Sequence, residues 1–310
     1  ERIIPVEIYL YYGIYVIRDK SVPVARMIDC AQMAQKIIKG DYNTCLNYYD
    51  EKIKQKIVKE QEIINSMQKA LDNKEFIVYL QPQYDYSNGS VCGAEALVRW
   101  KSPSKGLISP GDFIPVFEKS GDIITLDYFV YKEVFKYQRN RLDNKLPVVP
   151  ISVNVSKLHL KNDNLQRYLE RLFMDYKMPV ELIELELTEN VYIENMDQAM
   201  RLLNWCKNKH IKIAMDDFGS GYSSLNMLDQ VSVDIMKIDK TFLKNEVLQK
   251  NECIILEHVV SMADKMDIIT VCEGVESKEQ LNFLAEIGCN VIQGYYVGKP
   301  MPMKDFDQYL

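Results

Sequence analysis

Several features that define specialised protein classes are missing from this sequence. Its seven cysteines are odd in number and none stands in a CxxC pair, so free thiols in a reducing compartment are predicted rather than a disulfide framework. No apolar run reaches the length of a membrane span, and the first residues lack the organisation of a signal peptide. We therefore expect a cytoplasmic chain without membrane contact in this region, although the full-length protein could be tethered through upstream regions.

An excess of positive charge is also absent. The 38 Lys and Arg residues are outnumbered by 44 Asp and Glu residues, which gives a formal net charge of -6 and a pI near 5.3. Nucleic-acid polymers are bound by concentrated cationic side chains, so this composition argues against a nucleic-acid binder. An anionic substrate must therefore be bound by positively charged groups at the binding site itself.

The composition predicts one large globular domain and a fragment of another. Of the 310 residues, 47% are hydrophobic and 26% are charged, which is ordinary for a globular protein. The first part alternates strand-like and helix-like runs, VEIYLYYGIYVI, VPVARMIDCAQMAQKIIKG and TCLNYYD. We interpret residues 1–56 as a small α+β fragment with the start of a linker helix.

From Phe76 onward, short β-rich runs alternate with amphipathic helical stretches, a rhythm typical of βα units. Eight runs are strand candidates: FIVYLQPQY, VCGAEALVRW, VVPISVNVS, ELIELELTE, IKIAMDDF, VDIMKID, DIITVCEG and CNVIQG. About 235 residues in this pattern approach the size of a (β/α)8 barrel. The turn DYSNGS is too short for a crossover helix, so the first two runs should pair antiparallel. We predict an α/β fold, a TIM-like (β/α)8 barrel with one antiparallel strand.

Polar side chains stand at or just past the end of most of these runs. They are Asn154, Glu186, Asp216, Asp217, Lys237, Glu273 and Gln293. Glu95 lies within the second run, near Arg99. The carboxyl ends of parallel barrel strands share one face, where active sites are assembled. A ring of carboxylates with amides and a lysine favours a functional site over the chance placement of polar strand ends.

The chemistry of this ring favours a hard metal ion. Carboxylate and amide oxygens suit Mg²⁺ or Mn²⁺, whereas zinc prefers His and Cys. The three histidines, His159, His210 and His258, lie away from the ring in the sequence pattern. Adjacent Asp216 and Asp217 would repel one another without a cation between them. We predict two divalent cations that activate a water and stabilise an in-line displacement at phosphorus.

Lys237 has two functional interpretations and a structural alternative. Among carboxylates it would stay protonated and polarise an attacking water or a phosphate oxygen, which is the favoured role. A lysine at a barrel strand end can instead form a Schiff base with a carbonyl substrate. The structural alternative is an ion pair with Asp239 or with a carboxylate of the ring. On the second run, Arg99 shares a face with Glu95 and could grip a phosphate through two hydrogen bonds.

A glycine-rich segment follows the paired aspartates in AMDDFGSGYSSL. Gly219 and Gly221 would allow a sharp turn close to a ligand, while Tyr222, Ser223 and Ser224 would begin and cap the next helix. The GxG spacing is a weak signal for a dinucleotide site. Position 224 is serine and no third glycine completes the fingerprint, so we discard that hypothesis.

Seven short fragments together resemble the EAL family of cyclic di-GMP phosphodiesterases. They follow the family's order from about Phe76 to the end: GAEALVRW, NVS, ELTEN, DDFGSGYSSL, KIDKTF, CEGVES and QGYYVGKPMP. The first part resembles more loosely the closing portion of a GGDEF diguanylate cyclase domain without its signature motif, so no cyclase activity is expected there. The resemblance implies a partial, degenerate GGDEF-like fragment over residues 1–56 and an EAL-type barrel over residues 57–310.

The resemblance also implies roles for single residues. Four residues would ligate one metal, namely Glu95, Asn154, Glu186 and Asp216. Asp217, with Asp216 shared, would serve the second metal. Glu273 would complete the metal and water network as general base, Lys237 would orient the nucleophilic water, and Gln293 would support the site.

Other matching positions concern the substrate and assembly. Substrate contacts are implied for Gln81, Leu97, Arg99, Pro110 and Gln293. Glu189 matches a glutamate that steadies the loop beside the paired aspartates, a region also tied to homodimerisation. The departure at Val297, where the family has a bulkier residue, concerns guanine packing rather than catalysis.

The implied activity is hydrolysis of one phosphodiester bond of cyclic di-GMP, giving linear pGpG with Mg²⁺ or Mn²⁺ as cofactor. No metal or water-handling position of the family is substituted in this sequence. That intact set favours an enzyme over the alternative, a catalytically silent cyclic di-GMP receptor. A lysine-imine aldolase acting through Lys237 is the third hypothesis.

Overall fold

The computed structural model describes residues 9–39, 44–219, 228, 230–243 and 249–310. The chain divides into two compact units, Glu1–Lys69 and Ala70–Leu310. The domain limits drawn from the sequence, 1–56 and 57–310, stay a prediction. Within the described ranges, no helix combines the length and the apolar character needed to cross a bilayer.

The first unit is a strand–helix–strand arrangement that leads into a long helix. Its elements are β1 (Tyr12–Ile14), α1 (Val24–Ile38), β2 (Leu46–Tyr48) and the start of α2 (Glu51–Asp72). The two strands pair in parallel. Cys30, Ala34 and Ile38, spaced four residues apart, are the buried residues of α1. Gly13 passes so close to this helix that an added Cβ would lie 1.8 Å from the carbonyl oxygen of Ala31, so only glycine fits.

The second unit contains ten strands within the described residues. They are β3 (Phe76–Asp85), β4 (Ser90–Ser102), β5 (Gly106–Ile108), β6 (Ile151–Asn154), β7 (Ile183–Thr188), β8 (Lys212–Phe218), β9 (Ile235–Ile238), β10 (Ile269–Cys272), β11 (Val291–Gln293) and β12 (Met301–Pro302). The helices described in this unit are α3 (Pro110–Ser120), α4 (Ile123–Asp143), α5 (Asn164–Asp175), α6 (Glu189–Glu194), α7 (Met196–Lys209), α8 (Lys250–Lys265), α9 (Lys278–Glu286) and α10 (Met303–Phe306).

Eight of these strands form a closed barrel. Their order is β3-β4-β6-β7-β8-β9-β10-β11, and β11 returns to β3, while β5 and β12 extend β4 and β3. β3 is antiparallel to both barrel neighbours, and the other barrel pairs are parallel. Asp85 closes the turn after β3 by accepting a hydrogen bond from the backbone N–H of Ser87 at 2.8 Å. The predicted TIM-like barrel with one antiparallel strand is confirmed.

Alternation along the strands decides what faces the barrel interior. In β7, Ile183, Leu185 and Leu187 belong to the large apolar cluster that also includes residues of the surrounding helices. The intervening Glu184 and Glu186 lie on the opposite face of the strand, which in a barrel is the interior. β7 is therefore buried on both faces, and the face toward the barrel interior carries two carboxylates.

An aromatic cluster fixes α3 against the first two barrel strands. Phe76 of β3, Trp100 of β4, and Phe113 and Phe117 of α3 have ring centroids 5.0 to 6.2 Å apart. Such tilted and edge-to-face contacts add to the free energy gained by burial. Because α3 begins at Pro110, the cluster sets where that predicted substrate residue lies.

Replacing Phe117 with alanine is expected to lower the free energy of unfolding by about 3–5 kcal/mol, because it removes a fully buried ring and leaves a cavity. Urea unfolding followed by tryptophan fluorescence measures the shift. Leu107→Ala serves as control, since Leu107 is 61% exposed and its truncation should change the midpoint little. Equal midpoints for the two variants would contradict the role given to the cluster.

Candidate active site

Seven barrel strands bring polar side chains to one end of the barrel. In chain order these are Glu95 on β4, Asn154 on β6, Glu186 on β7, Asp216 and Asp217 on β8, Lys237 on β9, Glu273 directly after β10, and Gln293 on β11. They are the residues singled out by the sequence pattern. Since the strands are parallel, their carboxyl ends meet at the same rim.

Lys237 is the centre of this group. Its ammonium Nζ lies 3.2 Å from Glu95 Oε2, 2.9 Å from Glu186 Oε2, 3.2 Å from Asp216 Oδ1 and 2.7 Å from Glu273 Oε1. The lysine side chain is 1% exposed, so these ion pairs form away from bulk water. In such a place charge interactions are stronger than at a protein surface.

The surroundings of Lys237 decide its protonation. Burial alone would lower the pKa of the ammonium, but the nearby carboxylates outweigh burial and raise the pKa well above its ordinary value. A protonated amine has no lone pair to attack a carbonyl carbon, so this environment disfavours the lysine-imine hypothesis. Asp239 accepts a hydrogen bond from the backbone N–H of Thr241 at 2.9 Å, and the ion pairs of Lys237 go to the ring.

The carboxylates respond differently to this one cation. Burial raises the pKa of Glu186 well above its ordinary value, although Lys237 acts in the opposite direction. Burial also raises the pKa of Glu273 to about 8. For Glu95, burial is outweighed by Lys237 and by hydrogen bonds from amide groups, so its pKa is lowered. One ammonium does not balance four carboxylates, and the group can take up further positive charge.

A bulge in β8 brings both adjacent aspartates to this centre. The pairing of β8 with β9 is irregular there, so Asp216 and Asp217 together stand opposite Lys237. Asp217 has a φ of 57°, in the left-handed region that residues other than glycine rarely adopt. Burial and the charges of Asp216 and Asp239 raise the pKa of Asp217 to about 6. In a regular strand the two neighbours would face opposite sides, and the bulge lets them share one site.

The residues of this centre fit a divalent cation. Asp216, Asp217 and Glu273 each offer an oxygen atom, and the three atoms lie within 4.8 Å of one another. Glu186 Oε1 is buried and has no hydrogen-bond partner among the described residues. A buried acceptor without a donor is costly, and a bound cation would satisfy it. A donor set made only of oxygens favours Mg²⁺ or Mn²⁺ over zinc.

Amide side chains hold Glu95 in place. Asn154 Nδ2 donates to Glu95 Oε1 at 3.2 Å, and Gln293 Nε2 donates to Glu95 Oε2 at 2.6 Å. Gln293 Nε2 also lies 3.4 Å from Gln81 Oε1, and Gln81 donates to the carbonyl oxygen of Gly298 at 3.3 Å. Both glutamines are buried, and Gln81 stands beside Glu95 in the register of β3 and β4.

Glu189 holds Gly219, the residue that directly follows β8. The backbone N–H of Gly219 donates to Glu189 Oε2 at 3.0 Å. Gly219 has a φ of 90°, and an added Cβ would lie 2.1 Å from the ring of Phe242, so glycine is required at this turn. The rest of the predicted turn and helix cap lies outside the described residues: Gly221, Tyr222, Ser223 and Ser224.

A cavity of about 520 Å³ opens beside the polar ring. Its lining includes Glu95, Leu97, Arg99, Pro110 and Asn154. Alternate residues of β4 face the same way, which places Leu97 and Arg99 on the side of Glu95. Two predicted metal ligands and three residues predicted to contact the substrate therefore line the same cavity.

Arg99 gives the cavity a cationic side chain. Its guanidinium lies over the ring of Tyr79, 5.6 Å from the centroid, and its Nη1 donates to the carbonyl oxygen of Val98 at 2.9 Å. Burial lowers the pKa of Arg99, but an arginine stays charged at neutral pH. The positive charge is thus held in a fixed place where an anion could enter.

Sequence reasoning missed a buried pair beside this cavity. His159 Nε2 lies 2.9 Å from Asp127 Oδ2, and both residues are buried. Tyr131, one helical turn after Asp127 on α4, donates its hydroxyl to the carbonyl oxygen of Asn154 at 2.9 Å. The ring of His159 lies 6.2 Å from that of Tyr131, centroid to centroid, so the pair is next to the residue that holds the Asn154 backbone. The charge of Asp127 within an apolar helical stretch is the signal that could have revealed it.

The sequence of this chain is similar to those of known proteins over most of its length. The EAL domain family model matches residues 64–300. The bifunctional diguanylate cyclase/cyclic di-GMP phosphodiesterase MucR of Pseudomonas aeruginosa is 31% identical over 78% of this chain, and the cyclic di-GMP phosphodiesterase PdeR of Escherichia coli is 32% identical over 79%. This chain spans 35% and 37% of the length of those two relatives. The GGDEF-like interpretation of residues 1–56 lies before the family match and stays a prediction.

Solved structures share the fold. The PaMucR phosphodiesterase in complex with c-di-GMP has a TM-score of 0.74 at 31% identity, covering 79% of this chain and 99% of that one. The EAL enzyme Bd1971, bound to cAMP and cyclic di-GMP, has a TM-score of 0.77 at 27% identity, covering 94% of this chain and 76% of that one. With its barrel, its polar ring and the match over residues 64–300, this chain belongs to the EAL domain family.

Proposed function

We propose that this chain hydrolyses one phosphodiester bond of cyclic di-GMP and releases linear pGpG. The observation that carries the proposal is Lys237, buried within 3.2 Å of four carboxylates beside a cavity that also contains Arg99. Such a group can hold divalent cations next to a phosphodiester, where they would stabilise an in-line displacement at phosphorus. The names of relatives, cyclic di-GMP phosphodiesterases among them, support this substrate.

The proposed cofactor is a pair of Mg²⁺ or Mn²⁺ ions, in keeping with the general dependence of EAL phosphodiesterases on divalent metals. The first ion would be held by Glu95, Asn154, Glu186 and Asp216. The second would be held by Asp217 with Asp216 and Glu273. When bound, two such cations lower the pKa of a water and stabilise the attacking and leaving oxygens.

The side chains around the cations would orient the reaction. Lys237 is held in place by its ion pairs, and an N–H group released when a cation takes over one of the carboxylates would orient the attacking water. Glu273, 2.7 Å from Lys237 Nζ, would accept the proton of that water as general base. Glu95 and Asp217 would keep the cations against the scissile phosphate.

The cavity would bind the substrate. Arg99 would pair with phosphate oxygens through its planar guanidinium, which can make two parallel hydrogen bonds. Leu97 and Pro110 would form an apolar wall of the cavity, against which the nucleotide packs. Gln81 and Gln293 would contribute from the barrel interior, where Gln293 contacts both Gln81 and Glu95.

We also propose a cytoplasmic homodimer. Glu189 holds the first residue of the loop that the family resemblance ties to dimerisation, through the N–H of Gly219. All seven cysteines are unpaired, which suits a reducing compartment. The strand–helix–strand arrangement of the first unit is compatible with a degenerate GGDEF-like fragment over residues 1–56.

Purified protein is expected to convert cyclic di-GMP to pGpG with Mg²⁺ or Mn²⁺, and much more slowly with Ca²⁺, which binds oxygen ligands with looser geometry. Chromatography of the nucleotides after incubation with each metal measures this. Tight binding of cyclic di-GMP without cleavage under every metal condition would instead support the receptor alternative.

Lys237→Met should abolish turnover and destabilise the metal-free protein by about 3–5 kcal/mol, because it leaves buried carboxylates without their cation. Thermal unfolding with and without Mn²⁺ tests this, and the metal should raise the melting temperature of the variant more than that of the parent. Lys209→Met is the matched control. The Lys209–Glu170 pair has the same 2.9 Å separation, but its side chains are 49% and 41% exposed, so only a small change is expected.

Glu95→Ala should remove both turnover and measurable high-affinity Mn²⁺ binding, because a direct ligand is lost. Gln293→Ala should weaken Mn²⁺ binding by about 10-fold, since it removes only the amide that orients Glu95. Steady-state kinetics and calorimetric titration with Mn²⁺ compare the two variants. Equal, negligible effects would refute the assigned roles.

A further inference from the structure

A second glutamine of β3 lies below the polar ring. Gln83 is two residues after Gln81, so both face the barrel interior. It is 6% exposed. In the strand register it stands beside Gln293 of β11 on one side and Gly93 of β4 on the other. Gln81 stands beside Glu95 in the same register, so Gln83 lies one layer further into the barrel.

The hydrogen bonds of these amides run in one direction. Gln83 Nε2 donates to Gln293 Oε1 at 3.0 Å, and Gln293 Nε2 donates to Glu95 Oε2 at 2.6 Å. An amide has one acceptor end and one donor end. With its oxygen engaged by Gln83, Gln293 must present its NH2 group to Glu95. The reverse orientation would set an amide oxygen against a carboxylate oxygen, and both are acceptors.

The neighbouring strand makes room for this contact. A Cβ on Gly93 would lie 2.6 Å from Gln83 Oε1, closer than atoms pack, so a side chain at this position would displace the glutamine. Gly93 lies within β4, so its role here concerns space rather than a turn. Its lack of a side chain leaves the space that Gln83 fills, two residues before Glu95 on the same strand.

Gln83 lies apart from the cavity beside the ring. It lines a different cavity, of about 460 Å³, together with the first residues of β8, β9, β10 and β11. That cavity opens at the opposite end of the barrel from the carboxyl ends of these strands. Among the described residues, the side-chain hydrogen bond that connects Gln83 with the ring is the one to Gln293.

We infer that Gln83 is a positioning residue: it fixes the orientation of the Gln293 amide and, through it, the metal-binding carboxylate of Glu95. This inference rests on the proposed function, because it needs Glu95 to bind a metal ion. Groups that hydrogen-bond to metal ligands usually contribute 10- to 100-fold to metal affinity. Gln83 acts one hydrogen bond further away, so a smaller contribution of about 3- to 10-fold is expected.

A double-mutant cycle on Mn²⁺ binding tests the inference. The variants are Gln83→Met, Gln293→Met and the double variant, since methionine keeps the length of the side chain but cannot donate a hydrogen bond. Calorimetric titration of the metal-free full chain with Mn²⁺ alone gives each affinity. Gln83→Met should bind Mn²⁺ about 3- to 10-fold more weakly, with little further loss in the Gln293→Met background.

Additive losses, or unchanged affinity in Gln83→Met, would overturn the inference. Gln138→Met is the matched control, because Gln138 is also buried and donates to the carbonyl oxygens of Val149 and Leu182 away from the ring. It should lower the melting temperature and leave Mn²⁺ affinity unchanged. If Gln83→Met does not fold, Gln83→Leu takes its place in the cycle.

Turnover is measured separately, so the two proposals can fail independently. Non-additive losses of Mn²⁺ affinity in the double-mutant cycle, without cleavage of cyclic di-GMP, would support the role of Gln83 and refute the proposed hydrolysis. Full cleavage with an additive cycle would refute only the role of Gln83. A parent protein that binds no Mn²⁺ would refute the role of Gln83, while cleavage measured with Mg²⁺ would still decide the proposed hydrolysis.

Discussion

The buried ammonium of Lys237 is the interaction on which the rest of the site depends. It lies within 3.2 Å of carboxylates supplied by β4, β7, β8 and the segment after β10. Without it, acidic groups from four parts of the chain would meet in a place that excludes water, where repulsion is poorly screened. The lysine makes the acidic ring compatible with folding, and the remaining excess of carboxylates leaves the ring able to bind divalent cations.

Two departures from a regular parallel barrel complete this arrangement. The bulge in β8 turns Asp216 and Asp217, neighbours in the chain, toward one centre, at the expense of a left-handed φ at Asp217. The reversed strand β3 brings Gln81 and Gln83 alongside β4 and β11. These glutamines form a layer next to Glu95 in the barrel interior. Glu95 therefore accepts a hydrogen bond from Gln293, which contacts this layer, as well as from Asn154.

The chain is acidic overall and the proposed substrate is an anion, so positively charged groups close to the site must attract it. The protein carries a formal net charge of -6, so its long-range field does not attract a phosphodiester. Attraction must come from short-range contacts, namely the guanidinium of Arg99 in the cavity and the cations that the ring is proposed to bind. Binding that depends on such contacts discriminates by geometry more than by charge, which suits a small cyclic nucleotide better than a nucleic-acid polymer.

Much of the fold was predictable, because local patterns carry it. Runs of β-branched residues alternating with amphipathic helices indicated the barrel, and the short DYSNGS turn indicated the reversed first strand. The polar ends of the strands indicated the ring for the same reason, since parallel strands share one rim. The Asp127–His159 pair joins residues 32 positions apart, and the contact of Gln83 with Gln293 joins residues 210 apart, so neither follows from spacing alone.

By itself, then, the sequence determined the eight strands of the barrel and the polar ends of most of them, because side-chain periodicity and turn length act over a few residues. The short strands β5 and β12 were not predicted. Only the tertiary structure decided that Lys237 pairs with ring carboxylates rather than with Asp239, that two neighbouring aspartates face the same way, and that Gln83 reaches Gln293. Those outcomes depend on strand register and on barrel closure. Register brings together residues distant in the chain to within hydrogen-bonding distance, and a shift of one residue would turn each side chain to the other face.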